Sequence, residues 1–306
     1  MKCLILGGSG FLGSHLAEHL TAAKDEVRIF DHSRPAFVEQ SGKVGWISGD
    51  FQDPERLGVA LRGCELVYHL LSTTLPRDSN DQPGFDIQSN VVGTVAMLQA
   101  ALRARVRKVI FISSGGTVYG LPQALPIAET HANLPLCSYG IGKLMIEKYL
   151  HLFRSLHGLE YCVLRLANPY GERQQQQGAQ GAVAAFLYRA LKKQPIEIWG
   201  DGSVVRDYLY VGDAVKAMLR ARACQAEWPV FNIGSGEGRD LNQVIATVEK
   251  LVGHPVERRY LPSRGFDVPA NVLDITKARE TLGWRPETSF EDGLRRTMEW
   301  MLRDSI

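Results

Sequence analysis

From Lys2 to Leu166, short apolar runs alternate with longer stretches of helical periodicity. Lys2–Leu6, Glu26–Asp31, Val44–Ser48, Leu66–Leu71, Lys108–Ser113 and Tyr161–Leu166 are mostly apolar, the pattern of strands buried on both faces. Between them, Phe11–Thr21 places Leu12, Leu16, Ala17 and Leu20 at helical spacing, and Phe85–Leu102 does so with Ile87, Val91, Val95 and Leu98. Pro54–Leu61 reads as a helix with Asp53 as its cap and proline in its first position. Tyr139–Leu156 reads as a second long helix. Such alternation predicts an α/β fold built on a doubly wound parallel sheet.

After Asn168 the rhythm changes. Gly171–Gly181 is polar, flanked by glycine and rich in glutamine, and reads as a loop. Helices are expected at Ala182–Leu191, Asn242–Val252, Ile275–Leu282 and Phe290–Arg303, with Asp240 capping the second of these and Ser289 the last. Ile196–Trp199, Tyr208–Tyr210 and Val230–Ile233 are short strand candidates. No repeat or linker interrupts the chain. The expected division is a sheet domain over 1–167 and a smaller α/β lobe over 168–306 whose segments return to the sheet.

The glycines after the first strand carry the first chemical signal. Gly7-Gly8-Ser9-Gly10-Phe11-Leu12-Gly13 joins that strand to a helix. Glycine permits the sharp turn and lets a pyrophosphate approach the backbone, where the free N–H groups of the helix N-terminus hold it. Asp31 ends the second strand, placed to accept hydrogen bonds from a ribose and to repel a 2′-phosphate. Strand, turn, helix, strand and acid together predict an NAD site, and Arg34 nearby is the one residue that argues for NADP.

Bulk properties narrow the class further. The 306 residues are 45% hydrophobic and 22% charged, with a net charge of +2, so neither nucleic acid nor a membrane surface is expected as partner. No apolar run approaches the ~20 residues of a membrane span, and no leader precedes the first strand, so a cytoplasmic location is expected. The five cysteines form no C-x-x-C pair and read as buried thiols. The histidines show no metal spacing, and no metal site is expected.

Ser138-Tyr139-Gly140-Ile141-Gly142-Lys143 carries the second signal. Tyr139 and Lys143 lie four apart at the start of a helix and point the same way. A phenolate near pH 7 needs about 4 kcal/mol of help. A lysine at ~6 Å supplies roughly 3 kcal/mol at an effective dielectric of ~20. A positively charged nicotinamide would supply the rest. Upstream, Ser113-Ser114-Gly115-Gly116-Thr117-Val118-Tyr119-Gly120 leaves the fifth strand with small residues and hydroxyls.

These motifs, with Leu166-Ala167-Asn168-Pro169-Tyr170-Gly171 and Asp201–Tyr208, resemble the extended short-chain dehydrogenase/reductase family, in particular its NAD-dependent nucleotide-sugar epimerases of the UDP-galactose 4-epimerase type. The resemblance runs from Lys2 to about Asp274. It implies that Tyr139 is the acid/base and that Lys143 also holds the nicotinamide ribose. It places Gly7, Gly10, Phe11, Leu12, Gly13, Asp31, Asp50, Phe51, Leu70, Leu71, Ser72, Asn90, Ser113 and Ala167 along the cofactor. Thr74, Thr117, Asn168, Arg206, Arg264, Asp267 and Asn271 would meet a UDP-sugar, the two arginines clamping its diphosphate and Asn271 standing where sugar size is gated. Asn90 has a second reading, as a tie between helix and loop.

One departure concerns Gly115, where the family usually has Ser or Thr. The missing hydroxyl then comes from Thr117, from Ser114 or from water. The turn also lacks the acids of the related dehydratases and decarboxylases and the cysteine of the related reductases. The expected activity is therefore C4 epimerisation of a nucleotide sugar such as UDP-glucose or UDP-galactose through a 4-keto intermediate, with another nucleotide-sugar enzyme of the family, a UDP-N-acetylhexosamine or UDP-uronate epimerase, a dehydratase or a reductase, as the alternative. A non-catalytic NAD-binding relative is the contrasting reading, disfavoured by the retention of Tyr139 and Lys143. Family members pair two long helices, so a homodimer is expected.

Overall fold

Lys2–Leu6 (β1), apolar and fully enclosed from Cys3 onward, is the strand around which a seven-stranded sheet is wound. The computed structural model describes residues 1–36, 44–75, 78–175, 181–263 and 268–304. On one side of β1 lie Glu26–Asp31 (β2) and then Val44–Ser48 (β3), both parallel. On the other lie Leu66–His69 (β4), Lys108–Ser114 (β5) and Glu160–Leu166 (β6), followed by the strand Val230–Ile233. Strand order reverses at β1, so a crevice opens at its C-terminal end. There Leu6 sits in register with Phe30 on one side and His69 on the other.

The helices form where the periodicity predicts them, with informative differences. Phe11–Ala22 (α1) and Pro54–Leu61 (α2) follow the pattern, and Asp53 caps α2 by accepting from the N–H groups of Glu55 and Arg56. The run expected at Phe85–Leu102 begins earlier, at Pro83–Asp86 (α3), and ends in Gly93–Arg103 (α4). Between these, Ile87–Val92 winds as a wider π-helical turn. Such turns are uncommon and concentrate at functional sites. Strand β4 stops at His69, short of the expected Leu71, although the Leu70 N–H still donates to the Leu6 carbonyl.

The chain divides into two compact units. The first comprises residues 1–120, 132–165 and 217–231, and the second 121–131, 166–216 and 232–306. In the first, Leu4, Leu6, Phe30, Val67, Leu98, Val109, Phe111, Ile146 and Leu150 join strands and helices in one apolar core. Ser138–His157 (α5) is also fastened by polar side chains. Lys143 Nζ donates to the Ile112 carbonyl at 3.0 Å, and Ser113 Oγ donates to Glu147 Oε1 at 2.5 Å. Arg165 grips the same carboxylate from β6, with Nη2 2.7 Å from Oε2 and Nε 3.1 Å from Oε1.

In the second unit Val205–Tyr210 is central, longer than expected because Val205, Arg206 and Asp207 pair with Gly238–Asp240. Asn168–Tyr170 and Ala270–Asn271 also pair with it, too short for a sequence pattern to reveal. The helix Val211–Arg220 is a further departure from the expected elements; it follows the strand without a connecting residue. Asp207, fully buried, accepts from the backbone N–H groups of Ser235, Gly236 and Leu273 and ties these segments together. The expected caps hold, Asp240 with Gln243 as a reciprocal box and Ser289 on the Asp292 N–H. Within the expected loop Gly171–Gly181, residues 176–180 lie outside the described residues.

The Glu147–Arg165 pair gives a test of the packing under α5. Removing one partner leaves a buried charge without its counterion. Arg165→Met is expected to lose about 3–5 kcal/mol in denaturant unfolding, and the double variant Arg165→Met/Glu147→Met to recover most of that loss.

Candidate active site

The first unit holds the glycine loop, and its glycines are required for two different reasons. Gly7 has φ +81°, and a Cβ there would stand 3.0 Å from the backbone of Leu71. A Cβ on Gly13 would fall 2.3 Å from the Gly7 carbonyl oxygen, and one on Gly8 2.7 Å from Ile29. These three glycines serve the chain's own packing. Gly10 differs: its Cβ would find only the Gly7 carbonyl oxygen, at an ordinary 3.5 Å. Gly10 is also the cap residue of α1, with no side-chain hydrogen bond at the helix start and no acid in the first turn. The space above it and the N–H groups beneath it suit an external phosphate. Phe11 and Leu12 open the helix, and Asp31 accepts from the Ser9 N–H at 3.0 Å, so one carboxylate steadies the loop at the end of β2.

Other expected cofactor residues spread over this unit. Asp50 is exposed and accepts from the Gln52 N–H. The Phe51 ring lies in the core against His69 and over Gly93, so its packing partners are protein groups. Leu70 and Leu71 are half-buried and Leu71 abuts Gly7. Asn90 takes the tie role. Its Oδ1 accepts from the Thr73 N–H at 2.9 Å, while Nδ2 donates to Thr74 Oγ1 and Asp86 Oδ1. Thr74 is buried and donates to Asp86, which leaves its hydroxyl engaged within the protein. Ser113 is likewise engaged with Glu147.

Tyr139 and Lys143 meet at the start of α5. The first N–H groups of that helix are capped by Asn80 Oδ1 and Ser79 Oγ, which receive hydrogen bonds from Ser138 and Tyr139. Lys143 is buried, its Nζ 5.4 Å from the Tyr139 ring centroid and 4.8 Å from that of Phe111. Burial pulls the ammonium down to about 8, against the opposing pull of Asp86 and Glu147. Burial also pushes the Tyr139 phenol up, with Cys137 and Asp86 adding to it and a hydrogen bond with Ser72 opposing. This corrects the expectation that Lys143 brings the phenol most of the way to ionisation. The charge sum left out the cost of desolvation, which is the largest influence here. The chain by itself holds Tyr139 protonated.

The turn after β5 lies against this helix, since a Cβ on Gly140 would fall 2.7 Å from the Thr117 carbonyl oxygen. Thr117 Oγ1 is buried with no hydrogen-bond partner. Ser114 is half-buried in the same turn. An enclosed hydroxyl left unsatisfied in the turn packed against α5 is the mark of a group that waits for a ligand.

The second unit carries the remaining expected residues on one sheet. Arg206 is in register with Asn271, and Asn168 with Tyr208. Arg206 Nη1 donates to the carbonyls of Val205 and Val268, Asn168 Nδ2 to that of Asp207, and Asn271 is buried. Ala167, also buried, donates its N–H to Ile233. Arg264 and Asp267 lie outside the described residues.

Sequence reading missed Asp86, Glu147 and Arg165. A signal was available for Glu147 alone, because it follows Lys143 by four residues and both lie on the buried face of one helix.

Comparison with known proteins decides the family. Residues 3–234 match the NAD dependent epimerase/dehydratase family. The chain belongs to this family. It is 36% identical over 300 residues to a putative UDP-glucose 4-epimerase of Methanocaldococcus jannaschii, covering 97% of each chain. Among solved structures it is similar to the UDP-glucose 4-epimerase of Thermotoga maritima with UDP-glucose, at TM-score 0.94 and 37% identity over 99% of each chain. It is also similar to the Thermus thermophilus UDP-glucose 4-epimerase in complex with NAD, at TM-score 0.92 and 32% identity, covering 100% of each chain. The open space at Gly10 and the unsatisfied start of α1 fit the dinucleotide for which the family is named.

The two kinds of glycine separate experimentally. Gly13→Ala is expected to cost ~1–3 kcal/mol or more through backbone overlap. Gly10→Ala is expected to fold normally while NAD affinity, read by calorimetry, falls about tenfold or more. Lys143 offers a second test. The folded chain keeps this ammonium charged less readily than the unfolded chain does, so its charge opposes folding below about pH 8. That penalty fades as the pH rises from about 8 toward the usual lysine value near 10.5. Lys143→Met lacks this titration, so the stability of the parent relative to that variant should rise across pH 8–10.5 by up to about 3 kcal/mol, read in paired thermal melts.

Proposed function

We propose that this chain catalyses NAD-dependent epimerisation of a nucleotide sugar at C4, with UDP-glucose and UDP-galactose as the substrate pair. The observation that carries the reading is the pairing of buried Lys143 with Tyr139 at the start of α5, in the unit that also bears the glycine loop and the unsatisfied Thr117 hydroxyl. NAD, when bound, supplies a hydride acceptor that becomes a hydride donor, so no net oxidation results.

The chain's residues do the rest. Gly10 and the N–H groups of α1 bind the pyrophosphate, and Asp31 takes a ribose hydroxyl and turns away a 2′-phosphate. Tyr139 accepts the proton of the sugar 4-hydroxyl and returns it after the 4-keto sugar has presented its other face. Burial keeps the phenol neutral until positive charge is brought near, which couples proton movement to loading of the site. Lys143 holds the nicotinamide ribose and contributes its own charge. Thr117 Oγ1 bonds the reacting oxygen, replacing the hydroxyl absent at Gly115, with Ser114 as the nearby substitute. Asn168 and Arg206 hold the diphosphate, so the sugar alone is free to turn. Arg264 and Asp267 are assigned to the nucleotide by resemblance.

Asn271 supports a second substrate class. A buried, modest-sized amide at this position favours N-acetylated or uronic sugars as additional substrates. We also infer a homodimer in the cytoplasm. Phe85, Val92, Ile141, Leu152 and Leu156 leave apolar surface exposed on the two long helical runs, as a helix-paired interface requires. No helix among the described residues is long and apolar enough to cross a membrane.

The test is incubation of the purified protein with a panel of UDP-sugars without added NAD, with the epimers resolved chromatographically. Interconversion of UDP-glucose and UDP-galactose is expected. Tyr139→Phe should lower the rate by ~10²–10⁴-fold with little change in UDP-sugar binding. Parent-like turnover by that variant would refute the role of the phenol.

A further inference from the structure

Asp86 is a buried carboxylate that this mechanism does not use. It is 1% exposed, and its carboxylate accepts from Thr74 Oγ1 at 2.5 Å, Asn90 Nδ2 at 2.9 Å and Ser138 Oγ at 2.7 Å. All three donors are neutral. A Cβ on Gly142 would stand 3.7 Å from Asp86 Oδ2. The carboxylate therefore lies along α5 between Ser138 and Gly142, the two residues that directly precede Tyr139 and Lys143. Hydrogen bonds to neutral groups offset only part of the cost of burying a full charge. A cation helps the balance, and Lys143, which follows Gly142 on α5, is a buried cation on which the Asp86 charge acts.

We propose that Asp86 is a positioning residue for the Tyr139–Lys143 pair, its carboxylate supplying the negative charge that lets the buried Lys143 remain an ammonium. The proposal rests on the roles assigned to those two residues above. The surrounding groups leave this task to Asp86. Glu147, one turn further along α5, is committed to Arg165 from β6. His69 at the end of β4 is held neutral, because burial pulls its imidazole down to about 3. Cys137, at the cap of α5, is held as a thiol by burial. From the loop after β4, Ser72 brings only a hydroxyl, bonded to Tyr139. Among the charges acting on Lys143, Asp86 opposes the effect of burial more strongly than Glu147 does.

Two measurements test this. The first is a stability cycle on Asp86→Asn, Lys143→Met and the double variant, by thermal melts at pH 7. A larger Tm loss is expected when Asp86→Asn is made in the parent than when it is made on top of Lys143→Met. Equal losses would show that the carboxylate serves only its three hydrogen bonds and would overturn the proposal. The second is the pH profile of kcat. The alkaline limb of Asp86→Asn should move down by about one to two pH units, with KM for the UDP-sugar unchanged and kcat near the parental value at the acid end. A uniform fall in kcat at all pH values would overturn the proposal. Where the amide is not accommodated, Asp86→Ser removes the same charge. The melts need no turnover. An inactive parent would therefore defeat the proposed function and still leave the coupling of Asp86 to Lys143 decided.

Discussion

Lys143 is a cation almost wholly withdrawn from water, and much of the first unit is arranged to make that tolerable. Its ammonium finds one carbonyl, two aromatic rings and the field of two carboxylates. None of these alone replaces hydration. A lysine kept on the surface would retain its charge without effort, but it would act on Tyr139 through a high dielectric and be screened by salt. Burial lowers the cation's stability and raises the reach of its field. The same burial keeps Tyr139 protonated, so the site begins from a neutral phenol beside a cation that is only just retained.

The glycine loop imposes a separate constraint between β1 and α1. Gly7, Gly8 and Gly13 allow the strand, the loop and the first helix to approach more closely than any side chain permits. Gly10 then leaves open the space this approach creates. Asp31 links the two sides of the loop by accepting from Ser9, so the carboxylate expected to meet a ribose is already oriented by the protein. Preorganisation of this kind spares a ligand the cost of ordering the loop on arrival.

Most of this architecture was legible in the sequence because it rests on local rules. Strands β1, β2 and β4–β6 are apolar runs bounded by turns, and the caps at Asp53, Asp240 and Ser289 follow from short side chains at fixed offsets. The helix Val211–Arg220 escaped because Val211 follows Tyr210 with no loop residue, so an apolar strand end merges with the apolar helix face. Strands of two or three residues, such as Ala270–Asn271, carry no period to detect. In the site, residue identities were readable while their energetics were not. The direction of the Tyr139 shift depends on how deeply the phenol is buried, and spacing along a chain does not contain that quantity. Asn90 and Thr74 show the same limit, since their side chains are taken up by Asp86 and the loop backbone.

The π-helical turn at Ile87–Val92 connects these observations. Its hydrogen-bond geometry is poorer than that of the α-helices on either side, so its persistence needs a compensating gain. The gain lies in what its side chains hold. Ser89 Oγ is 2.6 Å from Thr73 Oγ1, and Asn90 Oδ1 accepts from the Thr73 N–H. Both grips fall on Ser72–Thr74, the loop that brings the Ser72 hydroxyl to Tyr139 and the Thr74 hydroxyl to Asp86. A regular helix would rotate Ser89 and Asn90 relative to Asp86 by roughly 10–15° per residue. The widened turn keeps all three directed at the same loop. A local loss of helical regularity thus fixes the loop whose two hydroxyls bond the phenol and the Asp86 carboxylate.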